Sequence, residues 1–198
     1  MPSPIGHALA GFATAWAADL VPGDRASRIP PATASLYVRA GNGLTLTCAA
    51  LAMAPDLDLL MAGHRTLTHS IGATFFVALF AAAIAVSVRR PVLRVALTCA
   101  AAYASHLLLD WLGADSSRPY GLRALWPFSD TYYISGLDIF RQTARRYITT
   151  PTVIGQNLLA VAQEMAILGP IAIALWLVRV KALARLAAEM SGGDHPTQ

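Results

Sequence analysis

Apolar and polar positions in this chain form long separate blocks instead of alternating. The clearest apolar block is residues 70–88, which contains no charged side chain and is followed at once by Arg89, Arg90 and Pro91. A helix needs about 20 apolar residues to cross a hydrocarbon core of about 30 Å. This block therefore predicts a membrane-spanning helix.

Four further apolar blocks predict four more helices. They are residues 5–20, 44–60, 92–112 and 156–178. The block at 92–112 carries Arg94 near its start and His106 and Asp110 near its end. The first two blocks are shorter and hold polar residues, so whether they cross the membrane completely stays open. The pattern predicts an all-α protein, an integral membrane bundle of about five helices.

The connections between these blocks are uneven. Residues 21–43 are rich in Pro, Gly and Arg, residues 113–152 form a long polar loop, and the tail at 191–198 is expected to be disordered. Long loops inside compact proteins are often functional. We expect a single membrane-embedded domain over residues 1–190 that includes the long polar loop.

Composition supports a lipid environment. The chain is 56% hydrophobic and 13% charged, whereas soluble domains have about 25% charged residues. The net charge of +4 comes from scattered arginines and not from a basic block interleaved with aromatics, which argues against a nucleic-acid partner. Cys48 and Cys99 both lie inside apolar blocks, so we expect buried thiols and no disulfide.

The distribution of cations predicts the orientation. With five crossings, nine of the fifteen Lys and Arg residues fall on the side that holds residues 21–43, 89–94 and the segment after 178. Positive charge accumulates on the cytoplasmic side of inner-membrane proteins. We therefore place that side in the cytoplasm and the opposite helix ends at the outer face.

Histidines and aspartates gather at the predicted outer ends of the helices. His106 and Asp110 are four residues apart in one predicted helix, so they share a face and could reach a common ion. The alternative is a hydrogen bond between the two side chains and nothing more. Ionisable groups inside a span are costly and usually functional, which favours the ion.

A dense polar segment precedes the 70–88 block. Pro55 disrupts helical hydrogen bonding, so Asp56 and Asp58 are expected on an irregular turn where both could face one cation. These two carboxylates could instead cap helices or pair with Arg65. The segment is therefore a candidate part of a metal site.

Further histidines complete the candidate ligand set. His64 and His69 are five residues apart and flank the same region, and His7 begins the first predicted helix. Thr68 is the expected N-cap of the helix that follows. The candidate metal ligands are His7, Asp56, Asp58, His64, His69, His106 and Asp110.

Arginines in and near the long polar loop suit an anionic substrate. Arg118 and Arg123, together with Arg65, could hold a phosphate by paired hydrogen bonds. They could equally be anchors for lipid headgroups. Asp130 and Asp138 are candidates for further carboxylates at the site.

An ordered run of motifs resembles that of the YdjM-like membrane-bound metal-dependent hydrolases. The motifs are I-G-H at 5–7, P-D-x-D at 55–58, G-H-R-x-x-T-H-S at 63–70, S-H-x-x-x-D at 105–110 and G-L-x-x-L-W-P-F-S at 121–129. The resemblance implies a multi-pass helical protein of the bacterial inner membrane and metal-dependent hydrolysis of a poorly defined substrate. Residues after 140, including Arg145 and Glu164, match none of these motifs.

The expected function is metal-dependent hydrolysis of a phosphoester or lipid-derived substrate at the membrane surface. Histidine and carboxylate ligands suit Zn²⁺, with Mn²⁺ or Mg²⁺ as alternatives, and a bound ion lowers the pKa of water to about 7. Asp56, Asp58 or Asp110 would act as the general base. Two alternatives stay open: a structural metal site for binding or assembly, or a transporter, whose polar residues should lie nearer the membrane midplane.

Overall fold

The computed structural model describes residues 1–21, 39–60, 65 and 67–192, and within them the regular structure is helical. The helices are α1 (Pro4–Leu20), α2 (Gly43–Met53), α3 (Ile71–Ser87), α4 (Val92–Leu112) and α5 (Pro151–Gly192), with a 3₁₀ segment, Ala54–Leu60, after α2. This part of the chain has no strand and only two isolated β-bridges, Gly113 to Phe140 and Leu122 to Tyr133. Over the residues described, the prediction of an all-α protein with about five helices is confirmed.

Local sequence signals explain where the helices begin and end. Ser3 caps α1 by accepting a hydrogen bond from the Gly6 N–H, and Asn42 forms a capping box with Thr45 at the start of α2. Helix α2 stops at Met53, two residues before Pro55, and the chain continues as the 3₁₀ segment. The expected irregular turn is therefore present.

The predicted N-cap of α3 is wrong by two residues. Ser70, and not Thr68, caps this helix, with the Ser70 hydroxyl accepting from the Ala73 N–H at 3.1 Å. The Thr68 hydroxyl instead donates to the Asp58 carboxylate at 2.6 Å. A partner ten residues earlier in the chain competes for Thr68, and the local sequence gives no sign of it.

Small residues bring the helices close together. A Cβ on Gly11 of α1 would lie 2.6 Å from the Cys48 carbonyl oxygen in α2, so only glycine allows these helices to approach so closely. Cys48 and Cys99 are both buried and unbridged, as expected. The narrow interfaces hold α1 against α2, α4 and α5 while α3 packs on α4.

Among the described residues, two helices are long and apolar enough to cross a membrane, as judged by length and composition. They are α4 and the Pro151–Arg185 part of α5; α3 is apolar but shorter. Large apolar side chains lie exposed on α3 and α5, among them Phe75, Phe76, Phe80, Leu158, Leu159 and Ile173. Contiguous apolar surface of this kind is typical of a membrane-facing or partner-facing region.

Polar side chains among the helices gather at two levels. One level, the His/Asp cluster, holds Asp56, His69, His106 and Asp110 with His7 beside them. The other, the Arg/Asp cluster, holds Asp19, Arg94 and Arg179. His7 and Asp19 are twelve residues apart in α1, as are Arg94 and His106 in the antiparallel α4. The two levels are therefore about 18 Å apart along the helix axes.

Candidate metal centre

The His/Asp cluster is built from three parts of the chain. Asp56 comes from the 3₁₀ segment, His69 from the turn before α3, and His106 and Asp110 from the last turns of α4. One donor atom of each lies within 4.8 Å of the donor atoms of the other three. The side chains of His69, His106 and Asp110 are fully buried, whereas that of Asp56 is 12% exposed.

The distances within the cluster fit a single ion. His106 Nε2 lies 3.1 Å from His69 Nε2 and 3.2 Å from Asp110 Oδ2, and His69 Nε2 lies 3.5 Å from Asp110 Oδ2. Asp56 Oδ1 lies 3.7 Å and 3.9 Å from the same two imidazole nitrogens. Four ligands at about 2.0–2.1 Å from a tetrahedral Zn²⁺ stand about 3.3 Å from one another. The four donor atoms therefore surround a point that a small cation can occupy.

Hydrogen bonds at the far side of each imidazole orient it towards that point. His106 Nδ1 lies 2.7 Å from the Ala52 carbonyl oxygen, so Nδ1 carries the proton and the Nε2 lone pair faces the cluster. His69 Nδ1 lies 3.3 Å from Asp58 Oδ2. A carboxylate behind a histidine in this way fixes the ring and increases its basicity as a ligand. Asp58 thus lies behind His69, and not among the four converging side chains.

His7 and Asp110 carry the clearest mark of an incomplete site. The His7 ring stacks on that of His106 at a centroid distance of 3.8 Å, and His7 Nε2 lies 3.4 Å from Asp110 Oδ1. Both His7 ring nitrogens and both Asp110 oxygens are buried without a hydrogen-bond partner among the described residues. Buried polar atoms are almost always paired. A cation bound here would give the Asp110 carboxylate the partner that it lacks.

The electrostatics at the entrance of the cluster also favour positive charge. Burial lowers the pKa of His69, but hydrogen bonds to Asp56 and Asp58 outweigh it and raise the pKa to about 9. Burial raises the pKa of Asp56, yet the hydrogen bond to His69 and the charge of His106 outweigh that effect and leave the pKa lowered. The carboxylates therefore keep His69 protonated. A metal cation can take the place of this proton between His69 and the carboxylates.

The G-L-x-x-L-W-P-F-S segment supports the site from outside. The Ile71 N–H donates to the Ala124 carbonyl at 2.8 Å and the Gly72 N–H to the Trp126 carbonyl at 3.0 Å, so this segment caps the first turn of α3. A Cβ on Gly72 would meet Trp126 at 2.8 Å. Because His69 immediately precedes α3, the cap fixes its position.

Six of the seven predicted metal ligands lie in or beside this cluster. They are His7, Asp56, Asp58, His69, His106 and Asp110. The seventh, His64, lies outside the described residues. The helix-end convergence expected from the sequence is therefore present for every candidate that the structure describes.

The three predicted substrate arginines have partners elsewhere. The Arg65 guanidinium pairs with Asp115 and that of Arg123 with Asp130. Arg118 lies over the Tyr120 ring, 5.8 Å from its centroid. These contacts bind the long polar loop together, and their role towards a substrate stays a prediction.

Arg145 reaches the cluster although no motif indicated it. Its Nη2 donates to Asp56 Oδ1 at 3.3 Å, and its side chain is 32% exposed. No local sequence pattern indicates this contact, because 89 residues separate the two partners. Arg145 therefore places a cation at the exposed edge of the site.

Glu164 is the other residue that motif analysis missed. It is fully buried in α5, and its carboxylate accepts hydrogen bonds from the Ser3 N–H at 2.7 Å and from the Ser3 hydroxyl. The Ser3 carbonyl in turn accepts from the His7 N–H at 3.1 Å. Glu164 thus fixes the first turn of α1, and with it His7. The sequence signal that could have indicated Glu164 is that it is a single acidic residue inside an apolar block.

Comparison with known proteins gives one match. A sequence model of the family described as YdjM inner membrane protein matches residues 1–187. No curated protein and no solved structure matches the chain. The matched range includes the whole His/Asp cluster, the long polar loop and most of α5.

Proposed function

Because the chain belongs to the YdjM inner membrane protein family, we propose that it is a membrane-bound hydrolase whose His/Asp cluster holds a divalent metal ion. The resemblance noted in the sequence predicted this family, and the prediction is confirmed. The observation that carries the proposal is the convergence of four donor atoms within 4.8 Å. The unpartnered buried atoms of His7 and Asp110 support it.

Each residue of the cluster has a distinct part in this proposal. His69, His106 and Asp110 hold the ion, Asp56 lies beside it at the longer distances of 3.7 and 3.9 Å from the two imidazoles, and His7 is available to Asp110 or to the ion itself. When bound, a divalent ion would make water available as a nucleophile at neutral pH. Imidazole and carboxylate together favour Zn²⁺, with Mn²⁺ or Mg²⁺ as alternatives.

Asp56 is the residue best placed to accept a proton. Its side chain alone among the four converging ones is partly exposed, so water and substrate approach the cluster there. A carboxylate within reach of the attacking water acts as a general base. Asp58 remains a positioning residue behind His69.

Arg145 favours a substrate with an anionic group. It contacts Asp56 at the exposed edge of the cluster, and a guanidinium binds phosphoryl or carboxylate oxygens through paired hydrogen bonds. The cluster also lies at the ends of α1 and α4, where lipid headgroups would be. We therefore propose a phosphoester or other lipid-derived substrate.

The proposed topology is multi-pass with the cluster at the outer face. The positive-charge asymmetry of the sequence supports this orientation. Ser116→Cys in the long polar loop should react with an impermeant thiol reagent added to intact cells, and Ser191→Cys in the last turn of α5 should not. Reversed labelling would invert the orientation.

Asparagine variants test the hydrolase proposal. Asp56→Asn, Asp58→Asn and Asp110→Asn keep the side-chain shape and remove charge and basicity. At least one variant should retain bound metal and folding yet lose hydrolysis of a phosphodiester or phospholipid, and we expect this of Asp56→Asn. Arg145→Ala should weaken binding of anionic substrates, whereas Arg146→Ala serves as its matched control.

A structural metal site is the second candidate. The full burial of His69, His106 and Asp110 favours it, because structural sites fill all coordination positions with protein ligands. If the ion has no solvent position and wild-type protein hydrolyses nothing in a broad panel of esters and phosphoesters, this candidate replaces the hydrolase.

A further inference from the structure

A lateral groove opens between α2 and α3. Both helices pack on α4 but lie apart from each other, and the gap encloses about 840 Å³. Its walls and floor include Leu44, Leu51, Phe76, Phe80, Ile84 and Val95. A volume of this size can bury a small ligand, since binding pockets measure about 300–1,000 Å³.

The length of the groove matches one leaflet of a bilayer. Along α3 it runs from Phe76 to Val88, which corresponds to about 18 Å of helix. Half of the hydrocarbon core measures about 15 Å. An acyl chain from one leaflet therefore fits its length, and the apolar side chains suit its chemistry.

One end of the groove is positively charged. Arg90 lines it, and no hydrogen bond or ion pair engages the Arg90 guanidinium among the described residues. Arg179 lines the same end and shares the single Asp19 carboxylate with Arg94. Among the described residues, Arg94 and Arg179 thus share the Asp19 carboxylate, and Arg90 adds a further positive charge at this end of the groove. The excess charge complements an anionic headgroup at the end of an apolar channel.

We propose that this groove binds the acyl chain of an anionic phospholipid, with the lipid phosphate at Arg90. The charged end lies at the level of the Arg/Asp cluster, about 18 Å from the level of the His/Asp cluster. The lipid site is therefore separate from the metal centre, and its test does not depend on hydrolysis.

Adjacent arginines offer a matched pair of variants. Arg89 and Arg90 are both exposed, but Arg90 lines the groove and Arg89 does not. Protein reconstituted in vesicles of equal phosphatidylglycerol and phosphatidylcholine would be extracted in detergent, and native mass spectrometry would count the retained lipids. Wild-type protein and Arg89→Gln should retain phosphatidylglycerol, whereas Arg90→Gln should retain about tenfold less.

A groove-filling variant tests the apolar part independently. Thr47 is exposed and lines the groove, so Thr47→Trp should displace both lipids while circular dichroism shows unchanged helix content. Equal lipid retention by wild-type, Arg90→Gln and Thr47→Trp proteins would overturn the proposal. So would a lipid-free dimer that Thr47→Trp dissociates, because the occupant would then be a second copy of this chain.

Discussion

The two polar clusters differ in how their charged groups are paired. In the Arg/Asp cluster, Asp19 accepts from Arg179 Nε at 2.7 Å and from Arg94 Nη2 at 3.1 Å. The same guanidinium groups also donate to backbone carbonyls, Arg179 to Arg39 at 2.7 Å and Arg94 to Ala18 at 2.8 Å. Positive and negative groups meet directly, and these ion pairs stabilise the helix ends.

The His/Asp cluster brings carboxylates together with imidazoles instead. Arg145 is the guanidinium that reaches it, and Asp110 is buried with both oxygens lacking hydrogen bonds in the described part of the chain. Burying a carboxylate without hydrogen bonds is strongly unfavourable. Burial of polar groups between helices therefore does not by itself identify a functional site. One unsatisfied atom does not identify it either, since Arg94 Nε is also buried without a hydrogen bond among the described residues. The convergence of four donor atoms, with an unsatisfied carboxylate among them, does.

Removal of a proposed ligand should produce the largest effect. His106→Ala or His69→Ala deletes one of four converging donors, so bound divalent metal should fall by more than about 100-fold, beyond what loss of a supporting residue causes. Plasma mass spectrometry of the purified protein measures the bound metal. His195→Ala in the C-terminal tail serves as the control. If both histidine variants bind as much metal as wild-type protein, the His/Asp cluster is not a metal site and no longer differs in this way from the Arg/Asp cluster.

Removal of the carboxylate at the other cluster should affect stability and spare metal. Asp19→Asn leaves Arg179, which is 3% exposed, without its ion-pair partner. We expect the free energy of unfolding to fall by about 3–5 kcal/mol, as measured by denaturation in detergent micelles. Asp138→Asn in an exposed loop should change little. Loss of metal in Asp19→Asn would contradict the separation of the two clusters.

Asp58 should show an intermediate effect on metal binding. It orients His69 through a 3.3 Å contact to Nδ1, and loss of such support typically weakens metal affinity about 10–100-fold. Titration of Asp58→Asn with Zn²⁺ would measure the change. An effect as large as that of His106→Ala would make Asp58 a ligand, and no effect would remove its positioning role.

The smallest expected effect lies at the start of α1. Ser3→Ala removes the N-cap and one hydrogen bond to Glu164, so unfolding free energy should fall by about 1 kcal/mol. Zn²⁺ affinity should also fall slightly, because His7 follows this turn. Thr14→Ala, which removes a hydroxyl bond later in α1, should leave Zn²⁺ affinity unchanged.

The helices could be predicted because each is a continuous apolar block. The charged residues after Val178 were expected to end the last span, yet α5 continues to Gly192. Arg, Lys, Ala and Leu all favour helix, so charge can end a hydrophobic segment without ending the helix. The block pattern therefore locates helices better than it locates their ends.

The site could be predicted only in part. His106 and Asp110 share a helix face, and Pro55 indicated the turn that carries Asp56. The contacts of Arg145 and Glu164 join residues far apart in the chain, so no local pattern contains them. Long-range packing decides which arginine reaches the cluster.

Metal analysis of the purified protein tests the central claim most directly. Wild-type protein and Asp19→Asn, prepared without chelators and offered Zn²⁺, Mn²⁺ or Mg²⁺, should each hold at least one divalent ion per chain, and Asp110→Asn should hold none. Wild-type protein that binds no ion, or Asp110→Asn that binds as much as wild type, would contradict the account.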